Sequence, residues 1–457
     1  MKSLILSIIV SLLVLSQSLA AAQQSDVSGV FALDGVHVLT MESEDILRNQ
    51  TVLIENGIIS AVGEQGSVSI PEGAQRLEGP FYVMPGLAEM HAHIPPERQG
   101  EEYMLNTLAL YLSQGITTIR GMLGEPAHLN LRDRAAKGEI VSPRIFTSGP
   151  SFSGTSVPSL ERARTMVFEQ AEAGYDLLKF HPGLSVEKFE VITQAANEAG
   201  IEFSGHISHD VGLIRSLDAG KGTIDHLDRY MEFLAGNPED REDPSIIYFG
   251  YDLAHDADQS RIPEAVRLTR EAGVWNVPTN TLMHNVFNPD LSSDMMSDWP
   301  GMEYMPEQLV NNWARFVNEL RQGEDYDEEK ARRFLELRDI LTLALHEGGA
   351  GLLLGADAPQ IFNPPGYSAH RELELIVGAG ISPFEALKTG TVNVGHYLNE
   401  EELTGKVATG FRADLILLRS NPLESVPFHD EIEGVVISGT YHSSESLKEL
   451  LEPMRRN

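Results

Sequence analysis

The sequence predicts an α/β protein, a (β/α)8 TIM-type barrel carrying a small composite β-sandwich built from both chain ends. Three observations predict it. Eight short apolar runs recur between residues 82 and 355, each followed by a helix-compatible segment, and such alternation implies a parallel sheet. The flanking stretches, 29–84 and 405–441, instead carry turn-punctuated strand patterns with no complete core in either one. A chain of 457 residues is also long enough for a barrel with insertions and a sizeable buried interior.

Taken in order, residues 1–22 place Lys2 before an apolar stretch from Leu4 to Leu15, followed by the small residues Ala20, Ala21 and Ala22. That is the layout of a secretory signal peptide, with a core too short to span a bilayer. The mature chain is therefore expected to be exported, periplasmic or extracellular, with no stable membrane insertion after cleavage. Residues 23–83 form the N-terminal part of the sandwich, where runs 51–54 and 58–62 meet at Glu55-Asn56-Gly57, a hairpin signal because Asn and Gly both accept positive φ. Residues 84–404 form the barrel, with strand runs at 82–90, 116–121, 144–149, 176–180, 201–205, 222–225, 274–278 and 351–355. Ser382-Pro383-Phe384-Glu385 reads as a helix start, with Ser as N-cap, Pro in the first turn and Glu three residues after the cap. The overlong connections 227–262 and 280–340, acidic and rich in Met, Trp and Asn, are expected to form a lid or substrate wall. Residues 405–457 complete the sandwich through runs 413–418 and 434–438.

Composition narrows the chemistry. The net charge of −33 argues against nucleic acid or an anionic membrane as partner, since both repel a chain without a basic patch. Cysteine is absent, which removes disulfides, thiolate ligands and a Cys nucleophile. Any metal must be held by imidazole or oxygen donors, and 15 His are available.

His91 and His93 end the first predicted strand, where residues two apart share a face and can both point into the barrel mouth. Such a pair alone is weak evidence. However, Lys179 ends the fourth run, His206 the fifth and His226 the sixth, and Asp357 follows the eighth. Each singly has an ordinary reading as a core His, a snorkelling Lys or a helix-capping Asp. Together they put six metal-competent groups at the C-terminal ends of five strands, which is where barrels do their chemistry. His181, His209, His255 and His370 read as non-ligands, and the acidic runs 239–243 and 324–329 as solvated faces.

These segments resemble the amidohydrolase superfamily, especially its prolidase-like dipeptidase branch (Xaa-Pro or Xaa-Arg type), related to imidazolonepropionase. The resemblance is carried by Pro85-Gly86-Leu87-Ala88-Glu89-Met90-His91-Ala92-His93, Asp176-Leu177-Leu178-Lys179, Gly205-His206, Asp225-His226-Leu227, Gly355-Ala356-Asp357-Ala358-Pro359 and Gly405-Lys406-Val407-Ala408-Thr409-Gly410. Three positions depart from the family pattern: Glu89 stands where Asp is usual, Asn393-Val394-Gly395-His396 replaces Asn-Pro-Ala, and Arg120 is followed by Gly121 rather than Asp. The resemblance implies two divalent metal ions, one on His91, His93 and Asp357 and the other on His206 and His226. It further implies that carbon dioxide is captured as a carbamate on Lys179, which bridges them. Nitrogen and oxygen donors favour zinc, ahead of manganese, iron or cobalt. Asp357 would then be the catalytic base for water shared between the cations. A one-metal site, as in deaminase-like relatives, needs no carbamate.

Three further residues complete the expected site. Tyr230, four residues after His226, is expected to donate its hydroxyl to the substrate carbonyl as a second catalytic group. Arg120 is expected to bind a substrate carboxylate, and His284 to line the pocket. The expected function is an exported metal-dependent amidohydrolase cutting a dipeptide or N-acyl amino acid. The alternatives are a deaminase or lactonase on the same barrel, or a non-catalytic binding relative. A small-molecule substrate is the expected partner, and homo-oligomer formation is left open.

Overall fold

In the computed structural model, residues 26–236, 249–424 and 426–456 are described; the expected signal segment 1–22 and the acidic run 239–243 lie outside them. Parallel strands Leu87–Ala92, Ile116–Gly121 and Arg144–Thr147 form one sheet, and Leu177–Phe180, Glu202–Gly205, Thr223–Asp225 and Trp275–Val277 form another. The two are joined at one seam by bridges Ser148↔Leu177 and Phe152↔Phe180. At the other seam, segment 351–355 joins both neighbours: Leu352 bridges Asn276, and Met90 N donates to Leu354 O at 2.8 Å. This is a TIM-barrel-like α/β fold. The expected eighth strand is thus a bridged segment rather than a regular strand. Gly355 explains part of its approach, since a Cβ there would lie 2.5 Å from Val277 Cγ1 and 2.8 Å from His91 N.

The expected first barrel strand also divides. Tyr82–Pro85 belongs to the sheet domain and Leu87–Ala92 to the barrel, with the break at Gly86, where a Cβ would lie 2.0 Å from Thr117 Oγ1. The helices between strands follow the expected amphipathic spacing. Val186–Ala199 is capped by Ser185, whose hydroxyl accepts from Lys188 N, and it buries Phe189, Ile192, Thr193 and Ala196 along one stripe. The Ser382 cap is present as well, accepting from Glu385 N at 3.3 Å.

Both chain ends meet in a nine-stranded sheet, one hydrogen-bonded surface rather than the two separate sheets implied by a sandwich. The join is the antiparallel pairing of Leu415–Leu418 with Tyr82–Pro85. Alternation then serves two cores: Leu415 and Leu417 enter the core of the sheet domain, whereas Ile416 and Leu418 pack into the barrel cluster. A register slip of one residue would exchange the two sets.

The connection 280–340 is not an open lid. It folds into helices Asn280–Phe287, Ser293–Ser297, Glu307–Gln322 and Glu328–Glu347. Its Met296, Met302, Met305 and Trp313 form a separate core with Leu110, Phe362 and Leu451. Those large apolar groups are buried for packing and present no open apolar surface themselves. Among the described residues, no helix is long and apolar enough to cross a membrane.

Candidate metal centre

The six strand-end groups converge. His93 Nε2 lies 2.6 Å from Asp357 Oδ1, and His91 Nε2 lies 3.5 Å from the same oxygen. One ligand atom from each of His91, His93 and Asp357 falls within 4.8 Å of the others. Lys179 is fully buried, with Nζ 3.4 Å from His91 Nε2. The His226 ring lies 4.6 Å from that of His91 and stacks on His206 at 4.5 Å between centroids. His226 Nδ1 also lies 4.0 Å from Asp357 Oδ2.

Backbone geometry makes this convergence local as well as tertiary. His226 has φ 63° and Asp357 φ 64°, left-handed values uncommon outside glycine but more accessible to His and Asp than to most residues. Leaving strand geometry at His226 breaks the alternation that would send Asp225 and His226 to opposite faces. Both therefore reach His91: Asp225 Oδ2 lies 2.8 Å from its Nδ1.

Three orienting groups escaped the sequence reading. Asp225 Oδ2 lies at ion-pair distance from His91 Nδ1, 2.8 Å, without hydrogen-bond geometry, whereas Asp228 Oδ2 lies 2.9 Å from His206 Nδ1 and Thr279 Oγ1 2.8 Å from His226 Nδ1 in hydrogen bonds. A partner on one imidazole nitrogen fixes the tautomer and leaves the other for a metal. An Asp directly before a strand-end His was the one signal available for Asp225; Asp228 and Thr279 carried none. Glu89, the departure from Asp, is also buried, and its Oε1 accepts from Ala356 N at 2.5 Å, bracing the turn that presents Asp357. Burial pushes this carboxyl up to about 8.

The electrostatics suit cation binding. Burial, reinforced by neighbouring cationic groups, holds His91, His206 and His226 well below the ordinary imidazole value, so their rings are neutral lone-pair donors. Burial likewise lowers the Lys179 ammonium, against the pull of Asp225. Burial pushes Asp225 up, but Arg120 and Lys179 oppose it and the carboxyl stays below its ordinary value. Among the described residues, His226 Nε2 is buried without a hydrogen-bond partner, as expected of an atom reserved for a ligand. The donor set therefore fits divalent metal ions, with His91, His93 and Asp357 as a ready site.

These shifts give a pH prediction for the metal-free protein. The three histidines remain neutral when folded but take up protons when unfolded as pH falls below 6.5. Their contribution to stability is fully present above that value and is lost progressively below it. Urea melts of chelated protein between pH 8 and 5 should show falling midpoints below 6.5; a flat profile would remove the neutral-imidazole assignment.

The structure places the three remaining candidates in other contacts. Tyr230 is fully buried, its hydroxyl bonded to Thr269 Oγ1 at 2.7 Å and Asn276 Oδ1 at 2.9 Å, so it is committed to the core behind the site. Tyr230→Phe should leave turnover unchanged and lower stability by about 1–2 kcal/mol, because the Asn276 oxygen loses a donor; a large fall in kcat with unchanged metal content would restore the catalytic assignment. Arg120 is 1% exposed and donates to Met90 O, the Tyr397 hydroxyl and Thr223 Oγ1, with Asp225 Oδ1 at 3.5 Å. Four of its five N–H groups are engaged inside the barrel, where it steadies Asp225. His284 faces Asp339 on the helix Glu328–Glu347, with Nε2 4.0 Å from Oδ1, and makes no hydrogen bond or ring contact with the ligand set. His181, expected to be a non-ligand, lies beside the cluster, its ring centroid 5.2 Å from that of His206.

A barrel-like ring with this donor set defines a class, and comparison with known proteins gives it a family. The chain belongs to the amidohydrolase family, whose model matches residues 82–441. It is accordingly a hydrolase acting on amide or peptide bonds, in a family where metal dependence is typical. Ochratoxinase of Aspergillus niger is 23% identical over 416 residues, which cover 85% of this chain and 81% of that protein. Imidazolonepropionase of Rubrobacter xylanophilus is 35% identical over 114 residues, 23% of this chain and 26% of that protein. Among solved structures, bottromycin amidohydrolase superposes with TM-score 0.72 at 20% identity, covering 93% of this chain and 90% of that one. A Xaa-Pro dipeptidase with methionine bound in its active site gives TM-score 0.65 at 17% identity, covering 91% of this chain and all (100%) of that one.

Proposed function

We propose that this chain is an exported amidohydrolase that cleaves the amide bond of a dipeptide or N-acyl amino acid with two divalent cations, zinc first among them. His91, His93 and Asp357 would hold one, His206 and His226 the other, and Lys179, carboxylated by carbon dioxide, would bridge the pair. The observation that carries the reading is the meeting of His91, Lys179, His226 and Asp357 around one point, with His206 stacked behind His226. Bound there, the cations would lower the pKa of a shared water and polarise the scissile carbonyl.

The chain's own groups do the rest. Asp357 accepts the proton of the attacking water and returns it to the leaving nitrogen, its position set by the Glu89–Ala356 contact. Asp225, Asp228 and Thr279 keep three imidazoles in orientation. Desolvation lowers the buried Lys179 ammonium against the pull of Asp225, which favours the neutral amine that carbon dioxide requires. The names of relatives, a Xaa-Pro dipeptidase and a bottromycin amidohydrolase among them, support an amide substrate. The domain reading is a barrel over 84–404 beside a sheet domain from 23–83 and 405–457, with 1–22 removed on export.

One observation favours a second reading. The tight trio of His91, His93 and Asp357 is by itself sufficient for one cation, the arrangement suited to a deaminase. The test is to load the mature chain with zinc, count bound metal, and screen dipeptides, N-acyl amino acids, lactones and aminated heterocycles. Two zinc ions per chain and release of free amino acids support the proposal. One zinc with ammonia release, or turnover of lactones alone, overturns it.

A further inference from the structure

Arg338 lies on the helix Glu328–Glu347, in the connection between the seventh strand and segment 351–355, and is only 1% exposed. Its guanidinium makes three hydrogen bonds. Nη1 donates to His226 O at 2.8 Å, Nη2 to Pro278 O at 2.6 Å and Nε to Asn280 Oδ1 at 3.1 Å. Among the described residues no carboxylate lies within ion-pair distance of it, although Glu372, Asp228 and Asp339 raise its basicity through space. A buried guanidinium satisfied by neutral oxygens is a costly choice for a position that only needs filling, since an apolar side chain of similar volume is often at least as stable.

What it grips gives the reason. The two carbonyls belong to the ends of adjacent strands, and the residues around them depart from strand geometry: His226 has φ 63°, Leu227 φ 54° and Thr279 φ 52°. Thr279 sits between Pro278 and Asn280, the two residues Arg338 holds, and its hydroxyl lies 2.8 Å from His226 Nδ1. From the other side, Glu372 accepts from Asn280 N at 2.8 Å and Thr281 N at 2.7 Å, pinning the start of the next helix. The strained turn is therefore clamped on both sides, and its one side chain facing the site fixes the His226 ring. A bond from Nδ1–H to the Thr279 hydroxyl would leave Nε2 its lone pair, and among the described residues that atom is buried without a hydrogen-bond partner.

We propose that Arg338 is a positioning residue for the second cation: it fixes the His226 carbonyl and the 278–280 turn so that Thr279 sets the His226 tautomer. The inference rests on the two-cation reading above. It gives the helical connection 280–340 a role at the back of the centre, in place of the lid suggested by its length.

The test uses the mature full-length chain with Arg338→Lys, Thr279→Val and Thr279→Ser. Each protein is loaded with excess zinc and dialysed, and zinc per chain and second-site affinity are measured beside the melting temperature. Arg338→Lys keeps the charge but loses the fork, and Thr279→Val removes only the hydroxyl. Both should lower second-site zinc affinity by about 10–100-fold, the usual effect of losing a group that orients a metal ligand. Thr279→Ser should restore it. Two zinc ions at wild-type affinity in both variants, with only a lower melting temperature, would overturn the inference and leave the two-cation reading intact. A wild-type chain that takes up a single zinc would overturn both. If Arg338→Lys fails to fold, the Thr279 pair decides alone.

Discussion

Asp357→Asn should lower kcat by about 10³-fold or more at saturating zinc, within the range removed with a general acid–base group or larger because a ligand is lost too. The carboxylate lies 2.6 Å from His93 Nε2 and 3.5 Å from His91 Nε2, where it would be both a donor to the first cation and a group to take a proton from water. Asparagine keeps the shape and one oxygen but accepts no proton at neutral pH. The expected signature is therefore a fall in kcat larger than any fall in zinc content, with KM changed little. Near-normal turnover with full zinc occupancy would mean that proton transfer runs through another group.

The Lys179→Ala protein should lose turnover and metal together. Lys179 is fully buried beside His91 and Asp225, a place where an amine without a role would be a burden, because desolvation disfavours its charge. As a carbamate it would be an anion between two cations, so truncation removes a ligand to each. Zinc per chain should fall from two toward one, and kcat by about 10³-fold, comparable with the loss of other essential groups. A short carboxylic acid such as propionate, which can occupy the vacated space as an anion, should recover part of both. Full turnover in Lys179→Ala, or a wild-type enzyme indifferent to removal of carbon dioxide during metal loading, would refute the bridge.

The six ligand candidates were legible because each combines a residue type with a local position. An apolar run with a metal-competent residue at its C-terminal end can be read without knowing what lies beside it. The residues that orient those ligands could not be read in this way. Asp228 meets His206 across 22 positions of sequence, Thr279 meets His226 across 53, and Arg338 meets His226 across 112. Nothing in the local pattern of a Thr or an Arg marks such a contact.

Tyr230 shows the converse. Its nearness to His226 in sequence suggested nearness to the substrate, but His226, Leu227 and Arg229 all take left-handed backbone values. That run turns the chain away from the mouth, and the helix Tyr230–Ala235 delivers the hydroxyl to Thr269 and Asn276. Arg120 is placed by a different cause. Its place at a strand end was read correctly, but a long side chain can reach back into the barrel, where Met90, Tyr397 and Thr223 satisfy it.

By itself the sequence determined the alternation of strands and helices, the pairing of the chain ends and the identity of the metal-competent groups. Those follow from periodicity and side-chain chemistry, which act over a few residues. Only the tertiary structure decided which polar groups support the centre, how the strand ends bend to present it, and that the long connection packs as helices. Each of these depends on contacts between distant segments, where burial leaves a polar atom no water and forces it to find whichever partner the fold brings near.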